Sequence, residues 1–390
     1  MISVAEAREK VLSLVAPLGS ETVPLSLAAG RVLAEPVRAR RTQPPFPASA
    51  MDGYAVENAA VRPGAVFEVI GEAAAGRGFG GTLGKGAAVR IFTGAPVPPG
   101  ADRVIIQEDV ERRGDTITLA RDLDTQTYIR PAGTDFAQDD SFDPARPLRP
   151  SDIALLAAMG HGNVDVMRRP EVAIIATGDE LVMPGETPGP DQIVASNNFG
   201  LKAMVDAAGG HGRILPIARD TESSLAAVFD LARGADLVIT IGGASVGDHD
   251  LVARVAETRG LERAFYKVAM RPGKPLMAGR MDGAAMIGLP GNPVSSMVCG
   301  LVFVRPALRV MLGLAPDADV QREAPLAAAL PANGPRAHYM RAMMEPAGLR
   351  AHERQDSALL TVLAGADALI IRPAHDRARA IGERVPYLAL

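Results

Sequence analysis

The stretch 237–250, LVITIGGASVGDHD, limits what this chain can fold into more than any other. Leu237, Val238, Ile239 and Ile241 form a short apolar, largely β-branched run. That is the pattern of a strand buried on both faces of a parallel sheet. Gly242 and Gly243 end the run, and Ser245, Gly247, Asp248 and Asp250 follow. Glycine directly after a strand lets backbone N–H groups come close to an anion, and a helix N-terminus favours its charge. Aspartates placed there can hold magnesium against a phosphate. The same residues also suit a plain turn with a helix cap. By itself the stretch leaves both readings open.

Strand and helix alternate around it. Residues 172–176 read as a strand ending in Thr177-Gly178-Asp179-Glu180, 198–208 as a helix, and 213–218 as a strand ending at Arg219-Asp220. Helices are expected over 221–233 and 251–258. Such an order implies a parallel sheet with right-handed crossovers, whose ligands sit beyond the carboxyl ends of the strands. Glu180, Asp220 and Asp250 all follow strands at that edge. Asp220 equally suits an N-cap for the next helix. Two further loops, Arg271-Pro272-Gly273-Lys274-Pro275 and Leu289-Pro290-Gly291-Asn292-Pro293-Val294-Ser295, enclose glycine between prolines, which stiffens the backbone. Their Lys, Asn and Ser suit oxyanion binding, and the loops also suit tight turns. An apolar helix over 294–312 follows.

Elsewhere the texture differs. Ser3 and Glu6 form a capping box, with Ala7, Val11, Leu14, Val15 and Leu18 at helical spacing. From 39 to 139, short apolar runs alternate with Gly and Pro turns, which reads as an inserted β-rich domain. Within it, Asp52-Gly53 and Thr93-Gly94 read as turn dipeptides on their own. Residues 140–169 return to a helical pattern (PSDIALLAAMG), and 314–390 read as strands. A chain of 390 residues exceeds one ordinary core. The expected fold class is α/β plus β and multidomain: a doubly wound parallel-sheet α/β domain, an inserted β-rich domain and a small C-terminal β domain.

Net charge is −4, which removes bulk attraction to nucleic acid or an anionic membrane. The single cysteine, Cys299, excludes an internal disulfide framework and a Cys-based zinc site. Its run, VSSMVCGLVFV, marks it as a buried thiol. The apolar run 294–304 is too short to span a bilayer, and the start MISVAEAREK is not a signal peptide. The cytoplasm is the expected location.

Six motifs then occur in order: SAMDGYAV, FTGAPVP, TGDEL, GGASVGDHD, RPGKP and LPGNPVSS. Together they resemble the MoeA family, the molybdopterin molybdenumtransferases, which include the E domain of gephyrin. The resemblance covers essentially the whole chain. It implies insertion of molybdate into adenylylated molybdopterin with release of AMP, dependent on Mg2+. It also implies a homodimer of four-domain subunits: an α/β molybdopterin-binding domain of 1–19 and 170–313, a connecting domain of 20–38 and 140–169, the inserted domain 39–139, and the β domain 314–390. The cleft would lie between the α/β domain of one subunit and the inserted domain of the other.

The matching positions imply catalytic roles for Asp52, Thr93, Asp135, Glu180, Lys267 and Lys274. Ligand binding falls to Gly242, Gly243, Ser245, Gly247, Pro290, Gly291, Asn292, Pro293, Ser295, Arg341 and Ser357, and metal binding to Asp220 and Asp250. The chain departs from the family pattern at Arg271, where lysine is usual, at Thr134, where an acid is lost, and at Asp356, where an acid replaces glycine. Two other functions share parts of this pattern. A molybdopterin adenylyltransferase would need the α/β domain but neither β-rich domain. A non-catalytic scaffold would not need Asp52, Glu180 and Asp250. An adenylyltransferase and molybdoenzyme acceptors are possible partners.

Overall fold

The structure is a computed structural model that describes residues 1–243, 251–316 and 322–390. The chain forms two compact units: Met1–Glu21, Gly30–Ala34 and Val166–Leu390 make the first, and Thr22–Ala29 with Glu35–Asp165 the second.

The first unit is built on a six-stranded sheet in the order His211–Ile214, Glu171–Ala176, Leu237–Ile241, Ala284–Leu289, Met277–Met281 and Glu262–Tyr266. The first four strands are parallel, as the alternation predicts. The last two are antiparallel, so one edge of the sheet is closed by a meander rather than by crossovers. Both faces are covered. On one, the Val4–Leu12 helix supplies Ala7 and Val11, and Leu201 and Val205 come from the Asn197–Ala207 helix. Leu225, Val228 and Phe229 of Glu222–Leu231 cover the other, with Val252 and Ala256 of Leu251–Thr258. The expected capping box is present: Ser3 Oγ accepts from Glu6 N, and Glu6 accepts from Ser3 N.

The expected apolar helix runs over Pro293–Met311, long and apolar enough to cross a membrane by length and composition, yet mostly buried in the core. It is not regular. A π-helical segment, Gly300–Val304, precedes Pro306, whose missing N–H and ring bulk disrupt an α-helical ladder. Cys299 lies fully buried on it, and desolvation drives its thiol pKa well upward, which makes it inert.

A second sheet in this unit has the order Met270–Arg271, Ala337–Glu345, Ala368–Arg372, Arg384–Ala389 and Arg322–Pro325. Met270–Arg271 joins it in parallel, so the expected loop begins as an edge strand. The second unit contains one sheet of six strands: Arg103–Ile106, Gly53–Val56, Ala87–Ile91, Val66–Ala73, Thr116–Leu119 and Val110–Arg113. Its apolar residues form two clusters, around Tyr54, Phe67 and Ile117, and around Val89, Ile91 and Val104.

Candidate functional site

A cleft of about 920 Å³ opens in the first unit beyond the carboxyl ends of the parallel strands. Gly242 and Gly243 form part of its wall with φ of +90° and +68°. A Cβ at Gly242 would lie 2.8 Å from Thr177 O, and one at Gly243 would lie 2.2 Å from Val252 Cγ2. No side chain fits at either position, so the bare turn is a steric requirement of the sheet end. Ser245, Gly247 and Asp250 lie outside the described residues.

Glu180 and Asp220 share this cleft. Arg219 organises their loops: its Nη1 lies 3.4, 3.0 and 3.1 Å from the carbonyls of Gly178, Asp179 and Leu181. The Asp220 N–H donates to Asp179 Oδ1 at 3.2 Å. Partial desolvation first, and then the charges of Asp179 and Glu180, raise the Asp220 carboxyl above its ordinary range. Asp220 does not cap the next helix; Thr221 does, accepting from Ser224 N at 3.2 Å.

The 290–293 loop forms another wall. Ser296 Oγ donates to Pro290 O, and Asn197 Nδ2 donates to Gly291 O at 2.7 Å. Pro293 occupies the first turn of the helix, where its missing N–H costs nothing, and Ser295 is buried just after it. The loop also meets Ser357: Asn292 Nδ2 donates to Ser357 Oγ at 3.1 Å, and Val294 N to Ser357 O at 3.0 Å.

Arg341 reaches the same turn from the second sheet. It is fully buried, and its Nη1 donates to Asp356 O at 2.7 Å. Nε and Nη2 donate to Gln355 Oε1. Burial, and then the charge of Arg271, lower its pKa, against the pull of Asp356. The Asp356 carboxylate caps its own turn by accepting from Ala358 N at 2.8 Å. Lys267 and Lys274 lie on one tight segment, closed by Lys267 N to Leu276 O at 2.9 Å and Val268 N to Lys274 O at 3.0 Å. The Lys267 amine stands 5.1 Å from the centre of the Tyr266 ring.

In the second unit, Asp52 Oδ1 accepts from Thr93 N at 2.8 Å and from Thr93 Oγ1 at 2.7 Å. Those two bonds, and then Arg90, hold the Asp52 carboxyl below its ordinary range. The same two bonds join the two turn dipeptides into one cluster, and Gly94 N donates to Ser49 O beside it. Asp135 sits on a neighbouring turn, with its N–H donating to Gln43 O at 3.1 Å. The sequence alone assigns no site role to Arg219, Asn197, Asn198, Ser296 or Gln355. Only the Asn197-Asn198 doublet at a helix start offered a signal.

The fold is that of a multidomain α/β protein with a cleft at the ends of its parallel strands, lined by Glu180, Asp220, a bare glycine turn and the 290–293 loop. Three family regions match in succession: the MoeA N-terminal region (domains I and II) over 2–160, a probable molybdopterin binding domain over 173–310, and the MoeA C-terminal region (domain IV) over 323–390. The chain belongs to the MoeA family. It is 36% identical to "Molybdopterin molybdenumtransferase 2" of Mycobacterium tuberculosis, covering 88% of each chain. To the molybdopterin molybdenumtransferase of Bacillus subtilis it is 34% identical, over 100% of this chain and 94% of that one. The solved structure of a Pyrococcus horikoshii MoeA protein of molybdopterin biosynthesis matches with a TM-score of 0.85 and 31% identity, over 100% of this chain and 99% of that one.

Proposed function

We propose that this enzyme of molybdenum cofactor biosynthesis inserts molybdate into adenylylated molybdopterin and releases AMP, with Mg2+ as cofactor. The observation that carries the reading is the placement of Glu180 and Asp220 in one strand-end cleft beside the bare glycine turn. Carboxylates that repel one another next to a phosphate cradle favour a divalent cation. Asp220, with Asp250, would hold it. No group of three acids or histidines among the described residues could form a full ligand set, so phosphate oxygens and water would complete the sphere. The ion would neutralise charge on the phosphoanhydride.

The chain's own residues then do the positioning that phosphoanhydride cleavage requires. Gly242, Gly243, Ser245 and Gly247 cradle phosphate, and 290–293 closes the wall. Lys274, Ser295, Arg341 and Ser357 take molybdate, a tetrahedral dianion that calls for two positive charges and several short donors. Asp52, Thr93, Asp135, Glu180 and Lys267 act at the reacting centre. The family resemblance supports a homodimer in the cytoplasm, with the inserted domain of one subunit serving the other.

The experiment is reconstitution. Enzyme, adenylylated molybdopterin, Mg2+ and molybdate should together activate an apo-molybdoenzyme, and leaving out this chain at low molybdate should abolish activation. Equal activation without the chain would overturn the proposal.

A further inference from the structure

Asn198 is the second residue of the Asn197–Ala207 helix and is 1% exposed. It lines the cleft. Its Oδ1 accepts from Phe199 N at 3.1 Å, which fixes which side of the amide is the acceptor. Its Nδ2 is buried and has no acceptor among the described residues. An unpaired buried donor costs free energy, so such a group calls for a partner. The helix start is open as well. Ser196, at the N-cap position, has αR geometry and makes no side-chain cap. Asn198 Oδ1 answers one N–H of this helix end and Ser196 adds no second side-chain cap, so part of the positive end of the helix dipole is left over among the described residues.

Ser196, Asn197 and Asn292, which line the cleft together with Asn198, are uncharged; Glu180 and Asp220 line it as well. An orphaned donor and a helix N-terminus both select an acceptor-rich, negatively charged group. A pterin or purine edge mixes donors with acceptors, and a phosphomonoester at neutral pH presents mainly acceptors. We propose that Asn198, with the N-terminus of its helix, forms a subsite for a phosphate group of the substrate that needs no metal ion. The inference rests on the substrate class proposed above, and Asn198 acts in it as a specificity-determining residue.

Asn198→Asp is the informative variant. It keeps the acceptor for Phe199 N, suits a helix first turn, and replaces only the orphaned donor with a negative charge. Its thermal midpoint should equal or exceed that of the wild type. Its KM for adenylylated molybdopterin should rise by about tenfold to a hundredfold. The molybdate requirement should stay unchanged. Independently of turnover, millimolar inorganic phosphate without divalent ions should raise the thermal midpoint of the wild type but not of Asn198→Asp. Asn198→Ser, which retains a short donor, should recover part of both effects. If the wild type releases no AMP, the functional reading fails while the phosphate shift still tests the subsite. A stable Asn198→Asp enzyme with wild-type KM and wild-type phosphate response would overturn the proposal. So would an unstable Asn198→Asp protein accompanied by an Asn198→Ser variant with unaltered phosphate response and KM.

Discussion

Arg341 and Gln355 close on each other. Gln355 Oε1 accepts from the Arg341 backbone N at 3.0 Å, from Nε at 3.1 Å and from Nη2 at 3.0 Å, and Gln355 Nε2 returns a bond to Arg341 O at 2.9 Å. With Nη1 on Asp356 O, three of the five guanidinium N–H groups serve the protein. At most two remain for an oxyanion. The pair therefore holds the turn that carries Ser357 as much as it offers charge.

Gln355→Ala should consequently resemble Arg341→Ala. It leaves a buried cation short of acceptors, a loss of about 1–3 kcal/mol or more. Because it displaces the Ser357 turn, it should raise the molybdate concentration needed for AMP release while leaving affinity for the nucleotide-pterin nearly unchanged. Molybdate titration of both variants checks this. A Gln355→Ala enzyme with wild-type molybdate dependence would confine Arg341 to direct contact.

Asp52 should stay ionised well into the acid range, because Thr93 N–H and Oγ1–H and then Arg90 favour the carboxylate. Thr93→Val removes one of the two Thr93 bonds and should move the acid limb of the activity profile upward in pH. Asp52→Asn should leave a stable protein that turns over poorly. Heterodimers of Asp52→Asn with Asp220→Ala subunits should regain activity if the two residues serve one site from different chains. The pH–rate profile and the activity of purified heterodimers read out both expectations.

The Asp220 carboxyl has the opposite sign. Its folded pKa is raised, so the folded state binds a proton more tightly than the unfolded state, and stability falls as pH rises through that window. Asp220→Asn should raise the thermal midpoint at pH 7 in the absence of divalent ions, and should reduce the further gain from Mg2+. Thermal melts with and without Mg2+ test the assignment. An undiminished Mg2+ shift in the variant would remove Asp220 from the metal site.

His338 supplies a pH dependence away from the cleft. Burial, and then Arg271, Arg341, Arg372 and Arg336, lower its pKa to about 4. The unfolded chain takes up this proton first, near the model-peptide value of 6.5. Its contribution is intact above that value, is lost as pH falls toward about 4, and then levels. Urea midpoints against pH should show this slope flattened by one proton in His338→Asn.

Much of the α/β core was legible because local signals suffice there. The run ending at Ile241 forms the Leu237–Ile241 strand, and residues 251–258 form the helix expected of them. The antiparallel edge was not legible, because Met277–Met281 and Glu262–Tyr266 are placed by pairing rather than by their own pattern. Met270–Arg271 reads as a loop for the same reason, since its partner starts at Ala337. At the site, the glycines, Glu180 and Asp220 could be placed on one strand-end edge by topology. The partners of Arg341 could not, because Gln355 lies 14 residues away and meets it only once the sheet forms. The orphaned amide of Asn198 likewise depends on which neighbours fail to reach it.

The most direct measurement is AMP release under omission. With adenylylated molybdopterin, Mg2+ and molybdate, the account predicts about one AMP per pterin, and much slower release when molybdate alone is left out. With ATP and free molybdopterin it predicts no adenylylation. AMP release indifferent to molybdate, or adenylylation of free molybdopterin by this chain, would contradict it.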